Sequence, residues 1–196
     1  MKLPTIYLLR HGETVWNTEG RYQGQLDSAL TPKGKRQAKE NALKLSKYVD
    51  IKEVKFFSSP LGRAKATAKI IAKNNGLETS KIIFEEDIQE FNYGIFEGKR
   101  KEYCKKVYAK EFSEREANKF SYVIEGGESY AKVYERLTRW LSSVQNEEVI
   151  VVVAHEMINR ALRGIYCSLS TDEMLALRQP NDVLIKLENR REVILD

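Results

Sequence analysis

The stretch LLRHGETVWN, residues 8–17, ends an apolar run abruptly on Arg10 and His11, then passes through Gly12 to an acid and a hydroxyl, Glu13 and Thr14. His11 is one of only two histidines in the chain. The run before it, TIYLLR at residues 5–10, is apolar at nearly every position, the pattern of a strand covered on both faces. A strand that stops on a cation and an imidazole presents both at one end of a sheet. What the rest of the chain brings to that end decides what the pair is for.

Working outward, strand and helix signals alternate. TPKGKRQAKENALKLSKYV, residues 31–49, opens with Thr31 as a helix cap and Pro32 in the first turn. EVKFFSS at 53–59 predicts a second strand, and PLGRAKATAKIIAKNN at 60–75 a helix that ends before Gly76. KIIFEEDI at 81–88 predicts a third strand. EVIVVVAH at 148–155 is the most strand-like segment of all, and EMINRALRGIYC at 156–167 reads as the helix after it. DVLIKLE and EVILD, on either side of NRR at 189–191, predict a hairpin. No low-complexity tract or linker interrupts the chain, so residues 1–196 read as one domain. The alternation predicts a three-layer α/β fold, with a mostly parallel sheet and helices on both faces.

In such sheets ligands sit beyond the carboxyl ends of the strands. The first predicted strand ends at Arg10 and His11. The second ends at Ser58 and Ser59, shortly before Arg63, the third runs out before Glu90, and the fourth ends at His155. Both histidines therefore end strands at the same rim.

That set of groups suits a phosphate monoester. Phosphoryl transfer needs an in-line nucleophile, neutralisation of the equatorial oxygens and a proton for the leaving group. An imidazole with an ordinary pKa of about 6.5 is largely neutral at pH 7, so His11 qualifies as the nucleophile. Arg10 and Arg63 offer planar forks that match phosphate oxygens, and His155 adds a further donor. Glu90 is a candidate acid if Phe91, Tyr93 and Phe96 desolvate it. Gly12 lets the backbone turn closely under the phosphate. No metal-ligand spacing is visible, and no cofactor is expected.

Bulk properties set the context. A chain of 196 residues, 42% hydrophobic and 31% charged, is ordinary globular composition. No apolar run approaches the roughly 18 residues of a membrane span, and the N-terminus lacks the features of a signal peptide. Cys104 and Cys167 form neither a disulfide framework nor a metal motif, which predicts a cytoplasmic protein. The formal charge of +5 is spread along helical stretches, which favours attraction of a small anion over a nucleic-acid platform. The expected partner is a small phosphorylated metabolite, with no nucleic acid and no membrane.

The motifs also resemble a known family. LLRHGETVWNTEGRYQGQLDSALTPKGKRQA is similar to the opening signature of the histidine phosphatase superfamily, the phosphoglycerate mutase-like fold. SSPLGRAKATA resembles its second arginine motif, IQEFNYGIFEGK its acid-residue loop, GGES a later turn and VIVVVAHEMINRALRG its second-histidine motif. The segments fall in the family's order and cover most of the chain. The resemblance implies that His11 is the phosphorylated nucleophile and that Arg10, Arg63 and His155 complete the phosphate pocket. It implies that Glu90 is the general acid, and that Asn17, Gln23 and Gly24 are further phosphate or substrate contacts. Glu13 and Thr14 read as braces of the turn, and Trp16 as packing.

Two features single this chain out. The family pattern usually places glycine after the second histidine, where this chain has Glu156. A carboxylate there is harmless if it points away. Pointing inward, it repels phosphate or favours a substrate with an amino group. Residues 99–127 fit a small basic helical cap inserted over the pocket; its Lys101, Lys105 and Lys106 read first as a solvated helix face, and in the alternative as contacts for a second anionic group of the substrate. The chain is shorter than cofactor-dependent phosphoglycerate mutases, which favours a phosphatase over mutase-type transfer. A non-catalytic phosphate-ligand binding protein is the third alternative. The expected assembly is a monomer or a homodimer paired through the EVILD edge.

Overall fold

A computed structural model describes residues 3–196 of the chain. In chain order the elements are β1 (Thr5–Arg10), α1 (Val15–Thr18), α2 (Pro32–Ser46), β2 (Lys55–Ser58), α3 (Gly62–Asn74) and β3 (Ile83–Phe84). They continue with α4 (Lys101–Val107), α5 (Ala109–Ala117), α6 (Tyr130–Ser143) and β4 (Val149–Ala154). The chain closes with α7 (Glu156–Cys167), α8 (Thr171–Ala176), β5 (Leu184–Glu188) and β6 (Arg191–Leu195).

The strands form a mixed sheet in the order β3-β2-β4-β1-β5-β6. The β1, β2, β3 and β4 strands run parallel to one another, while β5 runs antiparallel to β1 and β6 to β5. Alternate residues of the central strands serve opposite faces, as the two-residue period of a strand requires. Ile6 and Leu8 of β1, with Ile150 and Val152 of β4, join a core with Leu137 and Trp140 of α6 and Ile158 and Leu162 of α7. Tyr7 and Leu9, with Val151 and Val153, join the opposite core with Leu45 of α2 and Ala68 and Ile71 of α3. This is why β1 and β4 read as unbroken apolar runs: both of their faces are buried.

Register sets the site. Arg10 pairs with Ala154, so the next residues on each strand, His11 and His155, lie side by side at the rim. His11 N–H donates to Ala154 O at 3.0 Å, and Ser59 N–H to Val153 O at 3.0 Å, extending both pairings one residue past the strands.

The third predicted strand shrinks to two exposed residues, Ile83 and Phe84. Glu85 accepts from the Asp87 N–H at 2.9 Å, and Glu86–Ile88 winds into a 3₁₀ turn. A local side-chain bond of that kind competes with ladder pairing. The predicted hairpin is present, with Glu188 opposite Arg191 and a two-residue turn between them. Asn189 and Arg190 have φ of 49° and 60°, as a type I′ turn demands. Arginine is poorly suited to the second of these positions, so Arg190→Gly is expected to stabilise the fold by about 0.5–1 kcal/mol. That is a rise in Tm of about 1–4 °C. A fall would show that the Arg190 hydrogen bond to Ser168 Oγ, 3.0 Å, outweighs the backbone gain.

Candidate active site

At the carboxyl end of the parallel strands lies a cleft of about 80 Å³, lined by Arg10, His11, Asn17, Gln23, Gly24, Arg63 and Glu90. Larger hollows exist elsewhere on the surface, such as one of about 620 Å³ lined by Thr5, Glu148 and Tyr166 at the amino ends of the strands. The small cleft is nevertheless the candidate site, because arginines, a histidine and two glutamates converge there.

The end of β1 is clamped from three sides where strand pairing runs out. Asn159 Nδ2 donates to Leu9 O at 3.0 Å, Gln179 Nε2 to Leu8 O at 3.1 Å and Asn181 Nδ2 to His11 O at 2.6 Å. His11 is buried, and its Nδ1 lies 2.8 Å from Gly12 O. A carbonyl only accepts, so Nδ1 carries the proton and Nε2 keeps its lone pair. Burial, and then the charges of Arg63 and Arg10, hold its pKa well below the usual imidazole value, against the Gly12 bond that favours the cation. His11 is therefore a neutral imidazole of fixed tautomer, with the Nε2 lone pair that a nucleophile requires.

His155 is fully buried behind it, with the two ring centroids 5.2 Å apart. Its Nε2 lies 2.7 Å from Ser59 Oγ, a hydrogen bond whose direction follows the tautomer of the ring. Burial, followed by Arg63, His11 and Arg10, lowers the pKa of His155 as well.

Arg63 is almost completely enclosed, and three acceptors fix its fork. Nη1 donates to Leu26 O at 2.7 Å and to Asp27 Oδ1 at 2.9 Å, and Nη2 donates to Gly24 O at 2.6 Å. Asp27 also accepts from the Gly62 and Arg63 N–H groups, so one carboxylate caps α3 and aims its arginine. Among the described residues two buried N–H groups near His11, those of Arg10 Nε and Arg63 Nε, have no acceptor, and His155 Nδ1 has no hydrogen-bond partner. Buried donors of this kind are costly unless paired, and a tetrahedral oxyanion supplies the acceptors that they lack.

Glu90 lies across the cleft with Oε1 accepting from the Phe91 N–H at 2.9 Å. Burial raises its pKa, while Arg63, the Phe91 bond and Arg10 oppose the rise. Phe91, the next residue, packs its ring against Tyr93 and Tyr130, with centroids 4.9 and 5.4 Å away.

Several expectations change in detail. Gly12 does not have a positive φ; a Cβ there would instead overlap the backbone of Gly34 in α2. Close packing of loop on helix explains this glycine, rather than an unusual turn. Gly24 has φ of +56°, and its carbonyl is spent on Arg63, so it anchors the fork. Thr14 caps α1 in a capping box with Asn17, whose Oδ1 accepts from the Thr14 N–H at 3.0 Å. Gln23 Oε1 accepts from Thr14 Oγ1 at 3.0 Å. Of the three cap lysines only Lys101 lines the cleft, while Lys105 and Lys106 are exposed on α4. Arg21, Tyr22 and Met157 line it too, and buried Arg115 of α5 stands 5.5 Å from the Tyr93 ring centroid. Glu156 turns inward, lining the cleft and pairing with Arg10 at 3.0 Å. Among the described residues no three His, Cys, Asp or Glu side chains gather as a metal-ligand set.

Comparison with known proteins agrees with this geometry. The model of the histidine phosphatase superfamily (branch 1) matches residues 6–193. The chain belongs to that superfamily. It is 34% identical over 199 aligned positions to phosphoserine phosphatase 1 of Hydrogenobacter thermophilus, covering 97% of this chain and 90% of the relative. It is 33% identical to the probable 2-carboxy-D-arabinitol-1-phosphatase of Arabidopsis thaliana, covering 90% of this chain but 36% of that longer protein. Among solved structures, the alpha-ribazole phosphatase of Shigella flexneri superposes with a TM-score of 0.81 at 22% identity, covering 97% of this chain and 94% of that one. Bacillus stearothermophilus YhfR gives 0.80 at 25% identity, covering 97% and 95%. The fold is thus that of the phosphoglycerate mutase-like histidine phosphatases, and the chain is a phosphoric monoester hydrolase of this type. No helix among the described residues is long and apolar enough to cross a membrane.

Proposed function

We propose that the protein hydrolyses small-molecule phosphate monoesters without a metal ion, through a phosphohistidine on His11. The observation that carries this reading is the Nδ1–H bond to Gly12 O, which leaves Nε2 with its lone pair beside two arginines whose Nε–H groups lack acceptors. Nε2 attacks phosphorus while the bond to the leaving oxygen breaks, and the carboxyl of Glu90 gives that oxygen its proton. Water then attacks the phosphohistidine, and the Glu90 carboxylate takes its proton. The P–N bond breaks, returning neutral His11 and inorganic phosphate. Arg10, Arg63 and His155 hold the equatorial oxygens throughout, with Asn17, Gln23 and Gly24 shaping the pocket around them.

The chain is read as one unit in which residues 99–127 cap the cleft. Lys101, 5.7 Å from the centroid of the Tyr22 ring, and Arg21 line the same cleft, which supports a substrate carrying a second anionic group. Phosphoserine and 2-carboxyarabinitol 1-phosphate, in the names of two relatives, are esters of that kind. The setting proposed is cytoplasmic, with no nucleic-acid or membrane partner. Its assembly is a monomer or a homodimer through the exposed Val193 and Ile194 of β6. Turnover of p-nitrophenyl phosphate is expected to survive EDTA. Activity that is lost in chelator and restored by magnesium or zinc would overturn the metal-free mechanism.

The perturbed groups fix the sign of the pH dependence. His11 must be neutral to attack, and its depressed pKa places the acid limb below the usual histidine range, about 6.5. Glu90 must be protonated to assist departure, so activity on alkyl phosphates falls as pH rises through its elevated pKa. Glu90→Gln should remove that alkaline limb and slow phosphorylation of His11 by alkyl phosphates by about 10²-fold or more. With p-nitrophenyl phosphate, whose leaving group needs no proton, the single-turnover burst should be largely spared. Equal losses for both substrates would show that Glu90 only shapes the pocket.

A further inference from the structure

Glu156 opens α7 with its carboxylate in the cleft, Oε2 3.0 Å from Arg10 Nη1 and Oε1 3.5 Å from Arg160 Nη2. The carbonyl of Gln179 accepts from the same Arg10 Nη1 at 2.9 Å. That nitrogen bears two hydrogens, so its donors are committed before any substrate arrives. What Arg10 retains for a phosphate oxygen is Nη2 and the buried, unpartnered Nε. Glu156 therefore selects which edge of the fork meets the phosphate. It also sets a negative charge beside a site built for an anion. Compensation by Arg160 is partial: the contact is long, its Nη1 donates to Tyr130 Oη at 3.2 Å, and its Nε has no acceptor.

The residue after His155 matters for a second reason. The first N–H groups of α7 have no intrahelical partner, and His155 at the N-cap provides no side-chain cap. Glu156 and Met157, the first residues of α7, line the cleft, so this helix end favours an anion bound in it. Glu156, in the first turn, already complements the same helix end. One side chain thus competes with phosphate for both the fork and the helix end.

We propose that Glu156 is a positioning residue that also competes with phosphate for Arg10, lowering the cleft's affinity for the phosphate dianion and favouring product release. The proposal rests on the phosphatase reading above. The charged groups around Glu156 are Arg10 from β1, Arg160 from its own helix, and Arg21, Arg63, Glu90 and Lys101 on the other walls of the cleft. Removing one like charge a few ångströms from a bound dianion, in a cleft open to water, corresponds to about a tenfold gain in affinity.

The test is inhibition of p-nitrophenyl phosphate turnover by inorganic phosphate at pH 8, in the wild type, E156Q and E156G. E156Q keeps an oxygen for Arg10 Nη1 and removes only the charge. The expected result is a Ki about tenfold lower in both variants, with KM falling alongside and kcat not rising. An unchanged or higher Ki, in a variant whose thermal unfolding matches the wild type, overturns the proposal and leaves Glu156 as a brace between two arginines. E156G decides by the same criterion if E156Q does not fold. A wild-type protein that turns over substrate but ignores phosphate overturns this inference alone. One that does neither overturns the phosphatase reading with it.

Discussion

His11→Ala is expected to abolish hydrolysis of phosphate monoesters, lowering kcat by about 10⁴-fold or more, the scale seen when a catalytic nucleophile is deleted. No neighbour is placed to inherit the role. His155 Nε2 is engaged by Ser59 Oγ at 2.7 Å, and the ring is fully buried behind His11. The rim itself should survive, because the His11 backbone is held independently, by its N–H on Ala154 O and by Asn181 Nδ2 on its carbonyl. Thermal unfolding near that of the wild type would therefore accompany the lost activity. Retention of a hundredth of the wild-type rate would move the nucleophile elsewhere.

Arg63→Ala should lower kcat/KM by about 10²–10³-fold, the order of removing a preorganised donor from a charged transition state. In the proposed mechanism this arginine binds phosphate, and its side chain also ties the loop below it to α3. Its removal leaves Gly24 O and Leu26 O without their donor and takes the ion pair from Asp27, which keeps its two backbone N–H donors, at a cost of about 1–3 kcal/mol of stability. Arg63→Lys should recover only part of both losses. A single ammonium cannot reach three acceptors on one side and a phosphate oxygen on the other. Full activity in the lysine variant would show that positive charge alone suffices.

What the sequence revealed, and what it hid, follows from how each feature is encoded. Strands β1 and β4 announce themselves because both faces are buried, and the rim rule then places Arg10, His11 and His155 without further information. Arg63 follows from the strand-to-helix turn after Ser59. Glu90 is different: Glu85, Glu86 and Asp87 precede it at the same strand end, and the resemblance to the acid-residue loop is what singles it out among them. The clamps were hidden. Asn181 reaches His11 across 170 positions, and Gln179 reaches Leu8 across 171, from loops that carry no periodicity. Ser59, not Ser58, meets His155, because the Ser58 hydroxyl turns to the neighbouring carbonyl of Ser59 at 3.0 Å. Asp27 carried no signal of its own, since a cap for α3 supplied from a distant loop lies outside any local capping pattern. The direction of Glu156 was open because a first-turn side chain can face either way, and Arg10 and Arg160 decide it.

The most direct measurement is rapid acid-free quench of the enzyme with ³²P-labelled p-nitrophenyl phosphate, followed by tests of the adduct's stability and mapping of the labelled peptide. A covalent phosphate on His11 that is labile in acid and stable in base, and missing from H11A, is the predicted result. An acid-stable phosphoester on a serine, or rapid turnover with no covalent adduct in the first cycle, would contradict it.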